Sequence, residues 1–246
     1  MRLRRYVTLA AVSALAGGML GLGLPGPIPS AEAGPGCFAN SNGVDYGSMS
    51  VEEQIGSPPS PQATLNGIRS DLYVSSVAVS CQRIQSVYVR NATYNRLMEF
   101  GWAKGKFACY NDQTFVDFAQ ETPFAVAFEP NARYCHEYTG LTFGGAEDDT
   151  YHEFRASDAN ENGYWGPWLD GSQLSQAWQL TFTQGLGGVN AERANASDPM
   201  QGNFRNIEEV HSGTWSPTDQ IGDPYDTDPG YKWDLIAGDH AKIVAN

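Results

Sequence analysis

The chain has 246 residues, with 15 Lys+Arg against 28 Asp+Glu and a formal charge of −13. So acidic a chain, with only four lysines, excludes nucleic acid and anionic membranes as partners, because phosphate binding needs clustered Lys and Arg. Tyr, Trp, Phe, Gly, Asn and Thr are plentiful and long amphipathic helical periods are absent, a composition of strands and turns.

Arg2, Arg4 and Arg5 open the chain, an apolar Gly-rich run follows over 6–24, and Ala31-Glu32-Ala33 has the small-x-small form of a cleavage site. Together these predict a secretory signal peptide over 1–33, with Gly34 as the mature start. A retained anchor is the other reading, weakened by Gly17, Gly18, Gly21, Gly23 and Pro25 within an already short run. Cleavage removes three arginines and one glutamate, leaving 12 basic and 27 acidic residues and a charge of −15. A secreted, extracellular monomer with no membrane association after cleavage is expected.

Residues 34–70 are rich in Gly, Pro and Ser and read as an N-terminal arm. Strand signals begin at Asp71, and the sandwich domain is expected over 71–216. Leu72–Ser80 and Ile84–Arg90 are β-branched runs consistent with paired strands. In Tyr94–Trp102, Met98, Phe100 and Trp102 share one face, and Leu97, Glu99 and Gly101 the other. Phe124–Phe128 and Cys135–Phe143 follow. Tyr151–Ala156 alternates, Ser157–Gly163 supplies turn residues, and Tyr164–Leu169 leads into the hairpin signal Asp170-Gly171. Pro167 cannot donate to a ladder, so its strand should lie at an edge or carry a bulge. Ala177–Thr183, Val189–Ala194 and Phe204–His211 complete the set, and 217–246 reads as an acidic C-terminal tail with one last strand near Lys242–Val244. Nine or ten short strands with turns between them predict an all-β, two-sheet antiparallel β-sandwich.

The four cysteines, Cys37, Cys81, Cys109 and Cys135, survive cleavage and allow two disulfides in three connectivities. Cys109–Cys135 and Cys37–Cys81 are the expected pairs. No CxxC or CxxH spacing suggests a metal site. His136, His152, His211 and His240 are each isolated in sequence and read as structural or surface groups. Asp158-Ala159-Asn160-Glu161-Asn162-Gly163 matches the first half of a calcium loop, but Leu169 stands where a bidentate Glu should follow, and a polar hairpin loop explains the same residues. No cofactor or metal is expected. The nucleophile elbow, P-loop, dinucleotide fingerprint and HExxH motifs are all missing.

What remains is a pair of strand carboxylates. Glu99 points away from the core face of its strand, and Glu192 lies opposite Val189 and Ala191 on its own. Two carboxyls from different strands of one sheet can divide the work of hydrolysis, one activating water and the other protonating the leaving group. Tyr164, Trp168 and Trp178 are the aromatics expected to line a substrate groove.

The order of a strand with Glu99-Phe100-Gly101-Trp102, a hairpin with Trp168-Leu169-Asp170-Gly171 and a strand with Ala191-Glu192-Arg193 resembles secreted concanavalin-like sandwiches, and within them the glutamic peptidases of the eqolisin and neprosin types. Met98-Glu99-Phe100-Gly101 corresponds to the Leu-Gln-x-Gly strand of the eqolisin type, and Asn190-Ala191-Glu192-Arg193 to its Asn-Ala-Glu-Trp segment. Here Glu99 replaces the catalytic Gln, and a glutamate pair is what the neprosin type uses. Over 71–216 the resemblance implies a concanavalin-like jelly roll and an acid-acting endopeptidase with Glu99 and Glu192 as catalytic residues. The alternative expectation is a non-catalytic sandwich that binds glycan on its aromatic face. The expected partner is thus an extracellular polypeptide or glycan.

Overall fold

The computed structural model describes residues 45–51, 65–91, 93, 95–108, 115–143, 149–175, 177–193, 201–218, 224–226, 231–237 and 239–245. The expected signal peptide, Cys37 and Cys109 lie outside them. Every regular element described is a strand. In chain order these begin with β1 (Asp45–Val51), β2 (Gly67–Val74), β3 (Gln82–Arg90), β4 (Leu97–Ala108), β5 (Phe115–Glu129) and β6 (Ala132–Glu137). Next come β7 (Thr150–Ser157), β8 (Tyr164–Leu169), β9 (Ser172–Gln173), β10 (Trp178–Gln179) and β11 (Leu186–Arg193). The last are β12 (Gln201–His211), β13 (Thr214–Pro217), β14 (Pro224–Asp226), β15 (Tyr231–Ala237) and β16 (His240–Ala245).

They form two antiparallel sheets. The seven-stranded sheet runs β14-β1-β11-β3-β4-β5-β6, and the nine-stranded sheet runs β10-β8-β7-β2-β12-β16-β15, with β13 on β12 and β9 on β8. The fold is an all-β two-sheet sandwich, as expected. Side chains alternate across each strand, and one face of each sheet fills the space between them. Val87, Val89, Met98, Phe100, Trp102 and Val189 from the first sheet meet Ile68, Leu72, Phe154, Ala156, Trp165 and Phe204 from the second. The Trp165 indole is satisfied inside this core by donating to Phe182 O at 2.7 Å.

The β7–β8 hairpin and the Asp170-Gly171 turn form where expected, both turn residues having positive φ. Pro167 falls between the residues that β10 and β9 pair on β8, beside the sheet edge.

Three expectations are corrected. β2 and β3 are not partners: after Val74 the chain leaves the ladder, and β3 begins in the other sheet. Residues 75–80 there are mostly exposed small residues with no strand structure. The sandwich also extends beyond 71–216 at both ends. Asp45–Val51, within the expected arm, adds a strand beside β11, and β14, β15 and β16, within the expected tail, join both sheets. Short segments rich in Gly, Asp and Pro carry weak strand periodicity, and the open edges of the sheets recruit them by backbone hydrogen bonds.

Candidate functional site

Because Met98, Phe100 and Trp102 point into the core, Glu99 stands on the outer face of the seven-stranded sheet. Glu192 stands on that face too, since Val189 and Ala191 point inward from β11. β3 runs between them, with Tyr88 opposite Glu99 and Ile84 opposite Glu192. Midway, Ser86 is opposite both Gly101 on β4 and Asn190 on β11.

These side chains form one polar patch. Ser86 Oγ donates to Glu99 Oε1 at 2.5 Å, Asn190 Nδ2 donates to Glu192 Oε1 at 2.6 Å, and the Asn190 amide also hydrogen-bonds Glu99. The patch borders two apolar clusters on the same face. Tyr88, Leu97 and Phe128 lie at the Glu99 end, and a second cluster of Ile84, Ala103, Phe107, Phe118, Phe124 and Val126 runs from Ile84 opposite Glu192 to Val126 opposite Glu99. Glycines shape its floor. A Cβ on Gly101 would lie 2.0 Å from Gln85 O and 2.6 Å from Ser86 Cα, and one on Gly188 would lie 2.3 Å from the Tyr88 ring.

Both glutamates are withdrawn from water, Glu99 at 9% and Glu192 at 4% exposure. Burial disfavours the charged form of each. It raises Glu99 above the ordinary carboxyl value, against the opposing pull of the Ser86 and Asn190 hydrogen bonds. Burial, with the neighbouring Glu99 charge, pushes Glu192 up to about 8, again opposed by Asn190. Two such neighbouring buried carboxyls disfavour being charged together, so the pair is built to hold a shared proton. Since Glu192 Oε1 accepts from Asn190, the proton belongs on Oε2, which is buried and has no hydrogen-bond partner among the described residues. Asn190 Oδ1 is likewise buried without a partner. One ionised and one protonated carboxyl in a desolvated patch is the equipment of general acid–base hydrolysis.

No protein-family model matches the sequence, and no curated protein matches it. Among solved structures, scytalido-glutamic peptidase with a transition state analog inhibitor is similar at a TM-score of 0.53 and 11% identity, over 88% of this chain and 100% of that one. SCP-B, an eqolisin-family peptidase in complex with the tripeptide Ala-Ile-His, gives 0.49 and 9%, over 82% and 98%. The catalytic domain of an endo-1,3-beta-glucanase from Thermotoga petrophila gives 0.35 and 8%, over 82% and 75%. The likeness is one of fold. The chain shares the two-sheet sandwich of the glutamic peptidases, in line with the resemblance read from its motifs.

The expected substrate-binding aromatics do not join the carboxyls. Tyr164 and Trp168 lie on β8 in the nine-stranded sheet, on its outer face, so the whole sandwich separates them from Glu99. Arg155 lies 4.5 Å from the Trp168 ring centre, and Trp178 packs at the core edge, stacked on Tyr134 at 5.7 Å. Tyr164 alone is well exposed, at 43%. Sequence alternation assigns a residue to one of two faces but not to one of two sheets, which is why these three were misplaced.

Elsewhere the partners are local. Cys81 and Cys135 are each disulfide-bonded, and the pairing lies outside the described residues. Asp158 is buried, and its carboxylate accepts the Asn162 and Gly163 backbone N–H groups, closing the loop that resembled a calcium site. His152 sits between Asp170 and Thr150, His136 packs at a tilt against Tyr138, His211 faces Glu209, and His240 pairs with Asn203. Sequence reasoning missed Ser86 and Asn190 as members of the site. Asn190 was visible two residues before Glu192 on the same strand face; no sequence signal marks Ser86, which only strand order brings to Glu99.

Proposed function

We propose that the chain is an exported endopeptidase of the glutamic type, with Glu99 and Glu192 as its carboxyl pair. The observation that carries this reading is the pair itself: two buried glutamates from separate strands, on one sheet face, joined through the Asn190 amide. The shared fold with scytalido-glutamic peptidase supports it.

In the proposed reaction, the Glu99 carboxylate takes a proton from water as the water oxygen attacks the peptide carbonyl carbon. Glu192 gives its Oε2 proton to the carbonyl oxygen, so no full oxyanion builds up in the desolvated patch. The resulting gem-diol collapses: the C–N bond breaks, the amine takes the proton from Glu99, and one hydroxyl returns its proton to Glu192. Atoms and charge balance, and the pair is regenerated. The apolar clusters beside the pair would receive nonpolar side chains of an extended polypeptide.

The test is digestion of denatured casein from about pH 3 to about pH 8 by wild type, Glu99→Gln and Glu192→Gln. Loss of activity in both variants supports the pair, and activity untouched by either rejects it. The glycan-binding alternative has no comparable site behind it, since Trp168 is stacked on one side by Arg155 and Trp178 is packed on Tyr134. Glycan binding abolished by Trp168→Ala would revive it.

A further inference from the structure

We infer that Ser86 and Asn190 are positioning residues that set the polarity of the carboxyl pair, holding the charge on Glu99 and leaving the proton on Glu192. The inference takes its catalytic meaning from the carboxyl-pair reading above, while the geometry stands by itself. Two buried carboxyls of equal surroundings would share one proton without preference. Here the donors are unequal. Glu99 receives the Ser86 hydroxyl at 2.5 Å as well as the Asn190 amide, whereas Glu192 receives only Asn190 Nδ2 at 2.6 Å. A donor to a carboxylate stabilises its ionised form, and the effect is larger away from water.

The hydroxyl has little freedom to do otherwise. Ser86 is fully buried in the middle of β3, and Gly101 opposite it leaves room for Ser86 because any side chain there would strike it. The remaining groups on that face are not among the influences that shift either carboxyl, which are burial, Ser86, Asn190 and the pair itself. On that face β3 presents Tyr88 opposite Glu99 and Arg90 opposite Leu97, and β5 presents Val126 opposite Glu99. β6 presents Arg133 and Glu137, one strand further away beside Phe128 and Phe124. β1 places Tyr46 in register with Glu192. Among the described residues, Ser86 is thus the one donor that reaches Glu99 and not Glu192.

The experiment is carboxyl titration of the folded full-length protein by carbon-13 NMR with labelled glutamate, which needs no substrate, beside the casein assay. Glu99→Gln and Glu192→Gln assign the two resonances. Ser86→Ala is expected to move the Glu99 step to higher pH and narrow its separation from the Glu192 step. It should also lower kcat/KM roughly tenfold on the acid side with KM changed less than about twofold. Asn190→Asp keeps the shape, replaces both N–H donors with an oxygen, and is expected to move both steps upward. Titration curves of Ser86→Ala that superimpose on wild type would overturn the inference, as would loss of activity through KM alone. Shifted steps in a protein that cleaves nothing would uphold the polarity and reject the peptidase reading.

Discussion

Glu192 is the residue at which function and stability oppose one another. Its carboxyl is raised from 4.5 to about 8 by burial and by Glu99. The folded protein therefore holds a proton that the unfolded chain releases, and the linked stability is present below about 4.5 and lost as pH rises through about 8. Glu192→Gln removes this loss. The variant should unfold at roughly 5 °C or more above wild type near pH 8 and show no such gain near pH 4, measured by calorimetry. The same group sets the alkaline limit of the proposed reaction, which requires its proton. The kcat/KM profile of the wild type should fall as pH rises through about 8. A profile that is already flat and low at pH 6 would place the proton elsewhere.

At the scale of elements, the site depends on how closely β3 and β4 approach. Gly101 permits the contact with Gln85 and Ser86 that puts the serine hydroxyl on Glu99. Gly101→Ala forces these backbones apart and should cost about 2–3 kcal/mol, typical of overpacking, while weakening the Ser86–Glu99 bond. Denaturant unfolding and the Glu99 titration check the two effects together. On the outer face of the other sheet, β2 and β7 set Arg69 directly opposite Arg155, an unfavourable pairing of like charges. Trp215 from β13 lies within 4.6 and 4.8 Å of the two guanidinium groups, and Glu153 and Glu208 pair with Arg69. Trp215→Ala should lower stability by about 1–2 kcal/mol, with a dependence on ionic strength that wild type lacks. Both arginines of this face are thus engaged by Trp215, and Arg69 also by Glu153 and Glu208.

For the whole molecule, the junction of the sheets at Leu65 and Asn66 matters most. Leu65 bridges Gly185 just before β11, and β2 starts two residues later in the other sheet. The Asn66 side chain donates to Thr183 O and accepts from Ser212 N, while its backbone bonds Val210 and Asp158. One residue thus staples both layers at the end of the strand that carries Glu192. Asn66→Ala leaves a partly buried carbonyl and N–H without partners and should cost about 2–3 kcal/mol in equilibrium unfolding. Export is a property of the whole chain as well. The proposal requires protein in the medium with Gly34 as its first residue, which N-terminal sequencing would read directly.

Alternation within single strands was enough to orient Glu99 away from Met98, Phe100 and Trp102, because a strand has two faces and apolar side chains choose the inner one. The same alternation, with turn residues between short runs, determined an all-β sandwich, and the spacing of Asp170-Gly171 determined its hairpin. Which strands lie side by side was not determined that way. β11 joins β3 across almost a hundred intervening residues, β2 and β3 part into separate sheets, and β1 and β14 to β16 find their places through backbone hydrogen bonds that any residue except proline can make. Only the tertiary structure therefore brought Glu99 and Glu192 onto one face, set Ser86 between them, and put Tyr164, Trp168 and Trp178 on the other sheet. The proton that the pair shares depends on burial, and burial is a property of the folded layers.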